Sequence, residues 1–253
     1  MQKAANPGPV RPGTVHLWFL DRAVPADAQW MDVLDVNEQE RALAFQSLDQ
    51  RQAFIAAHAL VRTALSAYAG CPPAVLRFEI SSLGRPSVLD GGTSLSFSLT
   101  HAGRYSAVAI SAGHDLGLDL EFVRSDRDPL PLAQRFFTAS EADWLTLLPE
   151  RDRPGAFAAL WTVKEAVLKG RGCGLTEPLH SVTVEVDALG RPGRVHAPGG
   201  PWAIRAWSPE PGLSAALAVA TDQELTVTAF RAAPLGNPIP APELAPEWSG
   251  ATS

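Results

Sequence analysis

The sequence predicts an α+β fold in which the order strand, helices, strands occurs twice. Three observations predict it. Short apolar runs of period two alternate with long stretches of helical periodicity, without the regular βα repeat of a parallel sheet. Glycine and proline fall between those runs as punctuation. Composition over the 253 residues, 46% apolar and 19% charged, is that of a chain with a sizeable core.

The elements follow in order. Pro7, Pro9 and Pro12 precede the first strand-like run, so residues 1–13 read as a flexible tail. Thr14 to Leu20 reads as a strand, and Glu38 to Ala69 as helix in two pieces, with Asp49 the expected N-cap of the second. Leu76 to Ile80 is a further strand. Leu95 to Thr100, Tyr105 to Ser111 and Leu116 to Phe122, separated by turn-prone residues, predict an antiparallel meander. Thr138-Ala139-Ser140-Glu141 is a capping-box pattern that opens a helix to Leu148, and Pro154 sits in the first turn of another that runs to about Gly170. Glycines 170, 172 and 174 end it. Val182 to Val186, Trp202 to Trp207, Ser214 to Thr221 and Leu225 to Phe230 are the last strands, and Pro234, Pro238, Pro240, Pro242 and Pro246 mark 233–253 as a second flexible tail. Tyr105 to Ser111 is loosely like Leu213 to Ala220. Internal duplication accounts for that, and so does the alternation expected of any half-buried strand.

A formal net charge of −6 gives no basic surface for nucleic acid, although a local pocket for one small anionic ligand would not register in such a total. Cys71 and Cys173 have neither metal nor redox spacing, which fits a reducing compartment. The N-terminus lacks the apolar core of a signal peptide and the longest apolar stretch, Leu213 to Ala220, is too short to cross a bilayer, so a cytoplasmic protein is expected.

Chemistry concentrates in three segments. In Gly117-Leu118-Asp119-Leu120-Glu121-Phe122, period two sets Asp119 and Glu121 on one face, about 7 Å apart along a strand. Like charges so placed repel unless a cation lies between them, and oxygen ligands in this number suit Mg²⁺, which keeps waters and takes substrate phosphates as further ligands. In Trp161-Thr162-Val163-Lys164-Glu165-Ala166-Val167-Leu168-Lys169, a helix puts Glu165 and Lys169 one turn apart on one face, with Lys164 about 100° round from Glu165. Glu165 there can complete a metal site or act as a base, and Lys169 can hold a phosphate. Thr100-His101 at a strand end offers two donors to a phosphate oxygen. Each segment also has a plain account: a solvated strand face, a surface ion pair worth tenths of a kcal/mol, an exposed turn histidine. There is no Walker motif, nucleophile elbow, paired metal histidines or dinucleotide fingerprint.

Taken together, Gly117-Leu118-Asp119-Leu120-Glu121, Trp161-Thr162-Val163-Lys164-Glu165 through Lys169, Gly84-Arg85-Pro86, Phe97 to Arg104, Arg135-Phe136-Phe137 and Gly172-Cys173-Gly174-Leu175 resemble, in order and spacing, the Sfp-type 4′-phosphopantetheinyl transferases. The resemblance covers about Glu38 to Val186. It implies two similar α+β halves related by a pseudo-twofold, here drawn at 14–112 and 113–232, with the active site in the cleft between them. It implies transfer of phosphopantetheine from coenzyme A to a serine of an acyl or peptidyl carrier protein, with release of 3′,5′-ADP. It further implies Mg²⁺ held by Asp119, Glu121 and Glu165, with Glu165 the base, Lys169 on the pyrophosphate supported by Lys164, and Thr100, His101 and Arg85 on coenzyme A.

Two departures stand out. Thr100 replaces the family's serine, keeping the hydroxyl, and the first-half segment Asn37-Glu38-Gln39-Glu40-Arg41 lacks the family's basic residues. Arg51 is then the candidate ligand of the 3′-phosphate, one helical turn from the expected place, while Arg62 matches the family's structural helix arginine. Fatty-acid, polyketide and nonribosomal-peptide carriers all fit, and both halves in one chain suit a monomer. Two rival readings use the same residues: a non-catalytic module binding coenzyme A or a carrier, and a Mg²⁺-dependent hydrolase of another pyrophosphate. An assay with and without carrier separates the three.

Overall fold

The computed structural model describes residues 7–22, 28–81, 86–89, 95–187, 192–232 and 238–246. In chain order the elements are β1 (Thr14–Asp21), α1 (Ala28–Asp32), α2 (Val36–Ala44), α3 (Leu48–Ala69), β2 (Phe78–Ile80), β3 (Pro86–Val88), β4 (Leu95–Ala102), β5 (Tyr105–Ala112) and β6 (Leu116–Phe122). They continue with α4 (Leu130–Phe136), α5 (Ala139–Leu147), α6 (Arg153–Gly170), β7 (Thr183–Val186), β8 (Pro192–His196), β9 (Ala203–Glu210), β10 (Leu213–Val219), β11 (Thr226–Arg231) and β12 (Ile239–Pro240). This is a mixed helix-and-sheet protein of the expected α+β class. It divides into two compact units, one from described residues of 7–113 and 225–245, the other from those of 114–224.

In the first unit the sheet runs β12-β11-β1-β5-β4, with β1 antiparallel to β5 and β5 to β4. Helix α3 lays its apolar side on that sheet, so Leu60, Val61, Ala64 and Leu65 share one core with Trp18, Leu20, Val108 and Ile110. Asp35 caps α2 through a capping box: its side chain accepts from the Glu38 amide at 2.9 Å while its own amide donates to Glu38 Oε2 at 3.0 Å. The cap of α3 is Ser47, accepting from Gln50 N, and not the expected Asp49, which lies inside the first turn. An acid there still complements the helix dipole. Gly70, at φ +67°, ends the helix in the left-handed conformation that glycine adopts without strain.

The second unit carries a three-stranded sheet, β6-β10-β9, antiparallel throughout. Thr138 caps α5 with Glu141 completing the box, as the sequence pattern predicts, and Pro154 occupies the first turn of α6. Leu160, Val163, Val167 and Leu168 of α6 form a second core with Leu145, Val182, Ala216 and Ala218. Both units run strand, short helices, long helix, a hairpin (β2–β3 or β7–β8), then two strands. Strand orders β1-β5-β4 and β6-β10-β9 correspond.

Three expectations are corrected. The meander stops after β5, because β6 pairs with β10 instead, and Gly113 at φ +83° turns the chain out of the first sheet. The strand at 226–231, expected in the second half, lies parallel to β1 with Thr14 opposite Thr226, so the boundary at 232 does not hold. β1 is buried along its length and needs a partner on both edges; β5 fills one and β11 the other. The proline-rich C-terminal stretch is not all tail: β12 pairs with β11, and Leu244 is 2% exposed.

One buried polar cluster has a measurable consequence. Trp18 Nε1 donates to the Tyr68 hydroxyl at 2.9 Å, and that hydroxyl lies 2.8 Å from His16 Nδ1. Tyr68 therefore gives its own proton to Nδ1, and a neutral imidazole is the fitting partner. Burial holds the His16 pKa below its ordinary value of 6.5. The unfolded imidazole thus takes up a proton before the folded one, and this share of stability is present above pH 6.5 and lost as pH falls below it. Urea midpoints at pH 7.5 and 5.5 are expected to converge in His16→Gln relative to wild type; an identical pH dependence in both proteins would contradict the neutral buried imidazole.

Candidate active site

Asp119, Glu121, Glu165 and Lys169 of the two acidic motifs are placed by the contact of β6 with α6. Gly117, Asp119 and Glu121 share one face of β6, and the register sets them opposite Ala218, Ala216 and Ser214 of β10. Those partners are small, so the helix comes close: Thr162 Oγ1 of α6 lies 3.3 Å from Ser214 Oγ. Gly117 is where backbone meets backbone. A Cβ built there would stand 1.8 Å from the Ala166 carbonyl oxygen and 2.5 Å from the Gly170 amide nitrogen. The glycine of the Gly-x-Asp-x-Glu pattern is thus a close-approach glycine, and its φ is not in the left-handed region. Gly117→Ala must push α6 off β6 and is expected to cost about 1–3 kcal/mol of stability. Thermal melts check this, and an unchanged midpoint would refute the contact.

The close approach brings four charged side chains together. Lys169 Nζ lies 2.6 Å from Asp119 Oδ1 and 3.2 Å from the Leu118 carbonyl oxygen. Glu165, one turn before Lys169, is 8% exposed. Burial pushes the Glu165 pKa up, Asp119 and Glu121 push it further, and Lys169 pulls it down. Glu121 is raised in the same way by burial and then by Asp119, against Arg124 and Arg127. Among the described residues, three carboxylates that disfavour one another's charge, with Lys169 on Asp119 and Arg124 and Arg127 acting on Glu121, form a group that a further cation would relieve.

That mutual repulsion is the test of fit for Mg²⁺. The donors are carboxylate oxygens, which suit a hard divalent cation, and a charge of two would relieve the repulsion that raises Glu121 and Glu165. Among the described residues no three His, Cys, Asp or Glu side chains are already gathered as a ready-made metal cage. A cation that keeps waters and takes substrate oxygens needs no such cage.

Lys164 does not join this group. Its ammonium is fully buried on another face of α6, 2.7 Å from Glu141 Oε2, donating to the Leu179 and Val182 carbonyl oxygens and 5.1 Å from the Phe137 ring centroid. Burial lowers its pKa and Glu141 offsets this. Glu141 meanwhile accepts from the amides of Thr138 and Val184 at 2.9 and 2.8 Å. The expected role for Lys164 beside the pyrophosphate is corrected on this ground, since the side chain is consumed in tying α6 to the cap of α5 and the start of β7. The first unit repeats the device. Fully buried Arg62 donates through Nε to Glu38 at 2.6 Å and to the Pro73 and Leu76 carbonyls at 3.0 and 2.9 Å.

Three of the other expected ligands, Thr100, His101 and Arg51, belong to the first unit. Thr100 is buried and His101 exposed near the end of β4, opposite Ala107 and Ser106. Arg51 donates to the Leu43 and Phe45 carbonyls and so closes the link between α2 and α3, a structural role for the residue expected to meet the 3′-phosphate. Arg85 lies outside the described residues. Sequence reasoning missed Glu141, read only as a cap, and the alternating Ser214, Ala216 and Ala218, whose small size was the available sign that a helix packs there. No helix among the described residues is long and apolar enough to cross a membrane.

Residues 115–222, which hold the whole β6–α6 arrangement, match the family model of the 4′-phosphopantetheinyl transferase superfamily. The chain is 31% identical over 212 residues to the 4′-phosphopantetheinyl transferase HetI of Nostoc sp. (strain PCC 7120), covering 81% of this chain and 87% of that protein. It is 24% identical over 206 residues to the 4′-phosphopantetheinyl transferase Sfp of Bacillus subtilis (strain 168), covering 80% and 90% respectively.

Proposed function

We propose, for a chain that belongs to the 4′-phosphopantetheinyl transferase superfamily, that it moves phosphopantetheine from coenzyme A to a serine of an acyl or peptidyl carrier protein, releasing 3′,5′-ADP. The observation that carries this reading is the meeting of Asp119, Glu121, Glu165 and Lys169 where α6 closes on β6.

Each residue then has a task. Asp119, Glu121 and Glu165 would hold Mg²⁺, which when bound offsets the charge of the pyrophosphate and of its transition state. Lys169 exchanges its contact with Asp119 for a phosphate oxygen, keeping a cation beside the bond that breaks. Glu165 has a raised affinity for protons through burial and its two acidic neighbours, which suits a group that takes the serine proton, directly or through water. The serine oxygen attacks the β-phosphorus, a new P–O bond forms, and the bond to the departing 3′,5′-ADP breaks. Thr100 and His101 are proposed contacts for coenzyme A phosphates, and a monomer suffices because both units lie in one chain. Fatty-acid, polyketide and nonribosomal-peptide carriers are all candidate acceptors in a cytoplasmic setting.

The test is direct. Incubation with coenzyme A, Mg²⁺ and an apo carrier is expected to convert the carrier to its holo mass, with chelation stopping conversion. Failure with fatty-acid, polyketide and nonribosomal-peptide carriers alike would reject the proposal.

A further inference from the structure

We infer that the ion pair of Arg171 with Glu177 is a positioning device for the transfer: it closes the loop behind α6 and so fixes the helix's last turn, and with it the reach of Lys169 to the pyrophosphate. The inference rests on the transferase reading above and goes further by assigning to that site two residues that touch neither substrate nor metal.

Lys169 stands in the last turn of α6, which ends at Gly170. Last turns fray, because the final carbonyls of a helix have no partner within it. Here three of them are met by the loop that follows. The Arg171 amide donates to the Val167 carbonyl at 2.9 Å, the Gly172 amide to Lys169 at 3.0 Å and the Cys173 amide to Leu168 at 3.2 Å. The chain reverses at Gly172 (φ +75°), and Cys173 is buried in the second core.

The reversed chain is then locked. After a 3₁₀ turn over Gly174–Thr176, the Glu177 carboxylate reaches back to the Arg171 guanidinium, which donates to it twice, from Nη1 to Oε2 and from Nη2 to Oε1, the second at 2.9 Å. The two side chains are only 15% and 33% exposed, and this two-pronged fit is the strong form of such a pair. Residues 171–177 thereby form a closed clip. The chain leading into β9 lies against it: a Cβ built on Gly199 would stand 3.9 Å from Arg171 Nε. One built on Gly170 would stand 2.7 Å from the Trp202 ring and 3.1 Å from the Gly117 amide nitrogen. The end of α6 is therefore packed against β6 and Trp202, with the clip across its tip.

Arg171 is not itself placed to hold the phosphate. Two residues beyond Lys169 and still near helical backbone (φ −73°, ψ −12°), it lies about 200° round the axis, and Glu177 occupies both of its terminal nitrogens. Its effect reaches the substrate through Lys169. That side chain must leave Asp119 Oδ1, now 2.6 Å away, for a phosphate oxygen, and a misplacement of about 1 Å in such a group costs on the order of 10²-fold in rate. A long flexible stem makes the fixed base of the side chain the deciding part.

The experiment is steady-state transfer by the full chain, with coenzyme A and apo carrier varied separately, at a temperature where melting curves show each protein folded. The variants are Arg171→Gln, Glu177→Gln, the double Arg171→Gln/Glu177→Gln, and Arg171→Lys, which keeps the charge and one prong should the others fold poorly. Each single glutamine variant is expected to lower kcat/KM for coenzyme A about 10-fold with carrier KM unchanged, and Arg171→Lys to fall between them and wild type. Because the two residues act as a unit, the double variant should lose no more than either single one. A clip serving stability alone would lower melting midpoints and leave kcat/KM of the folded protein at the wild-type value. That result, a loss confined to carrier KM, or additive losses in the double variant overturns the positioning role. Should wild type convert no carrier, the transferase reading falls by itself, and calorimetry of coenzyme A with Mg²⁺ judges the clip. Binding about 10-fold weaker in both single variants keeps it, whereas equal binding, or none by wild type, overturns it.

Discussion

Glu165→Gln is expected to cut transfer by about 10²–10⁴-fold, the range for loss of a positioned acid–base group, while leaving the protein as stable as wild type or more so. Both halves of that expectation follow from the same geometry. Glutamine keeps the size of the side chain on α6 but can neither take a proton nor give a cation a full negative charge. The carboxylate it replaces is buried beside Asp119 and Glu121, and Lys169 offsets part of their repulsion. Removing one of three like charges relieves a cost that the fold carries without benefit unless a cation or substrate is present. Urea midpoints in the absence of Mg²⁺ should therefore rise or hold, and the stabilisation that Mg²⁺ gives wild type should shrink in the variant. A variant that loses activity by unfolding would show the reverse. Near-normal transfer by a folded Glu165→Gln would remove Glu165 from the chemistry.

What could be read in the residues beforehand was what local period dictates. Asp119 and Glu121 lie on one face of a strand, Glu165 and Lys169 on one face of a helix, and Thr138 with Glu141 at a helix start, because strand and helix periodicity settle those relations within a few residues. That β6 and α6 pack together was not legible from either alone. It depends on Gly117 meeting the backbone of Ala166, and on small residues on β10, a strand about a hundred residues away in sequence. The same limit explains the strands. Nothing local in Leu225 to Phe230 distinguishes a strand that continues the second sheet from one that runs parallel to β1, since the deciding fact is that β1 has a second edge to fill. Lys164 shows how a motif misleads when read as a unit. The 100° between Lys164 and Glu165 already separated their faces, and the structure gives one face to the acidic group and the other to Glu141.

That separation yields the second large effect, on stability. Lys164→Met and Glu141→Gln, made singly, are each expected to cost about 3–5 kcal/mol, the usual result of leaving one partner of a buried ion pair behind. In Lys164→Met the Glu141 carboxylate retains the amides of Thr138 and Val184, so the loss should fall toward the lower end. In Glu141→Gln the stranded ammonium keeps only the two carbonyls and the ring of Phe137, and should lose more. The double variant is expected to be less damaged than the sum of the two, because no buried charge is left without its counter-charge. Kinetics distinguish this from the role beside the pyrophosphate. A phosphate ligand, on loss, would weaken coenzyme A binding in a folded protein, and Glu141→Gln would be harmless. The clasp predicts that both single variants melt early, that the fraction still folded binds coenzyme A with unchanged KM, and that Lys164→Arg, which keeps the charge, recovers part of the midpoint. A lower affinity for coenzyme A in Lys164→Met with an undisturbed melting curve would return Lys164 to the substrate.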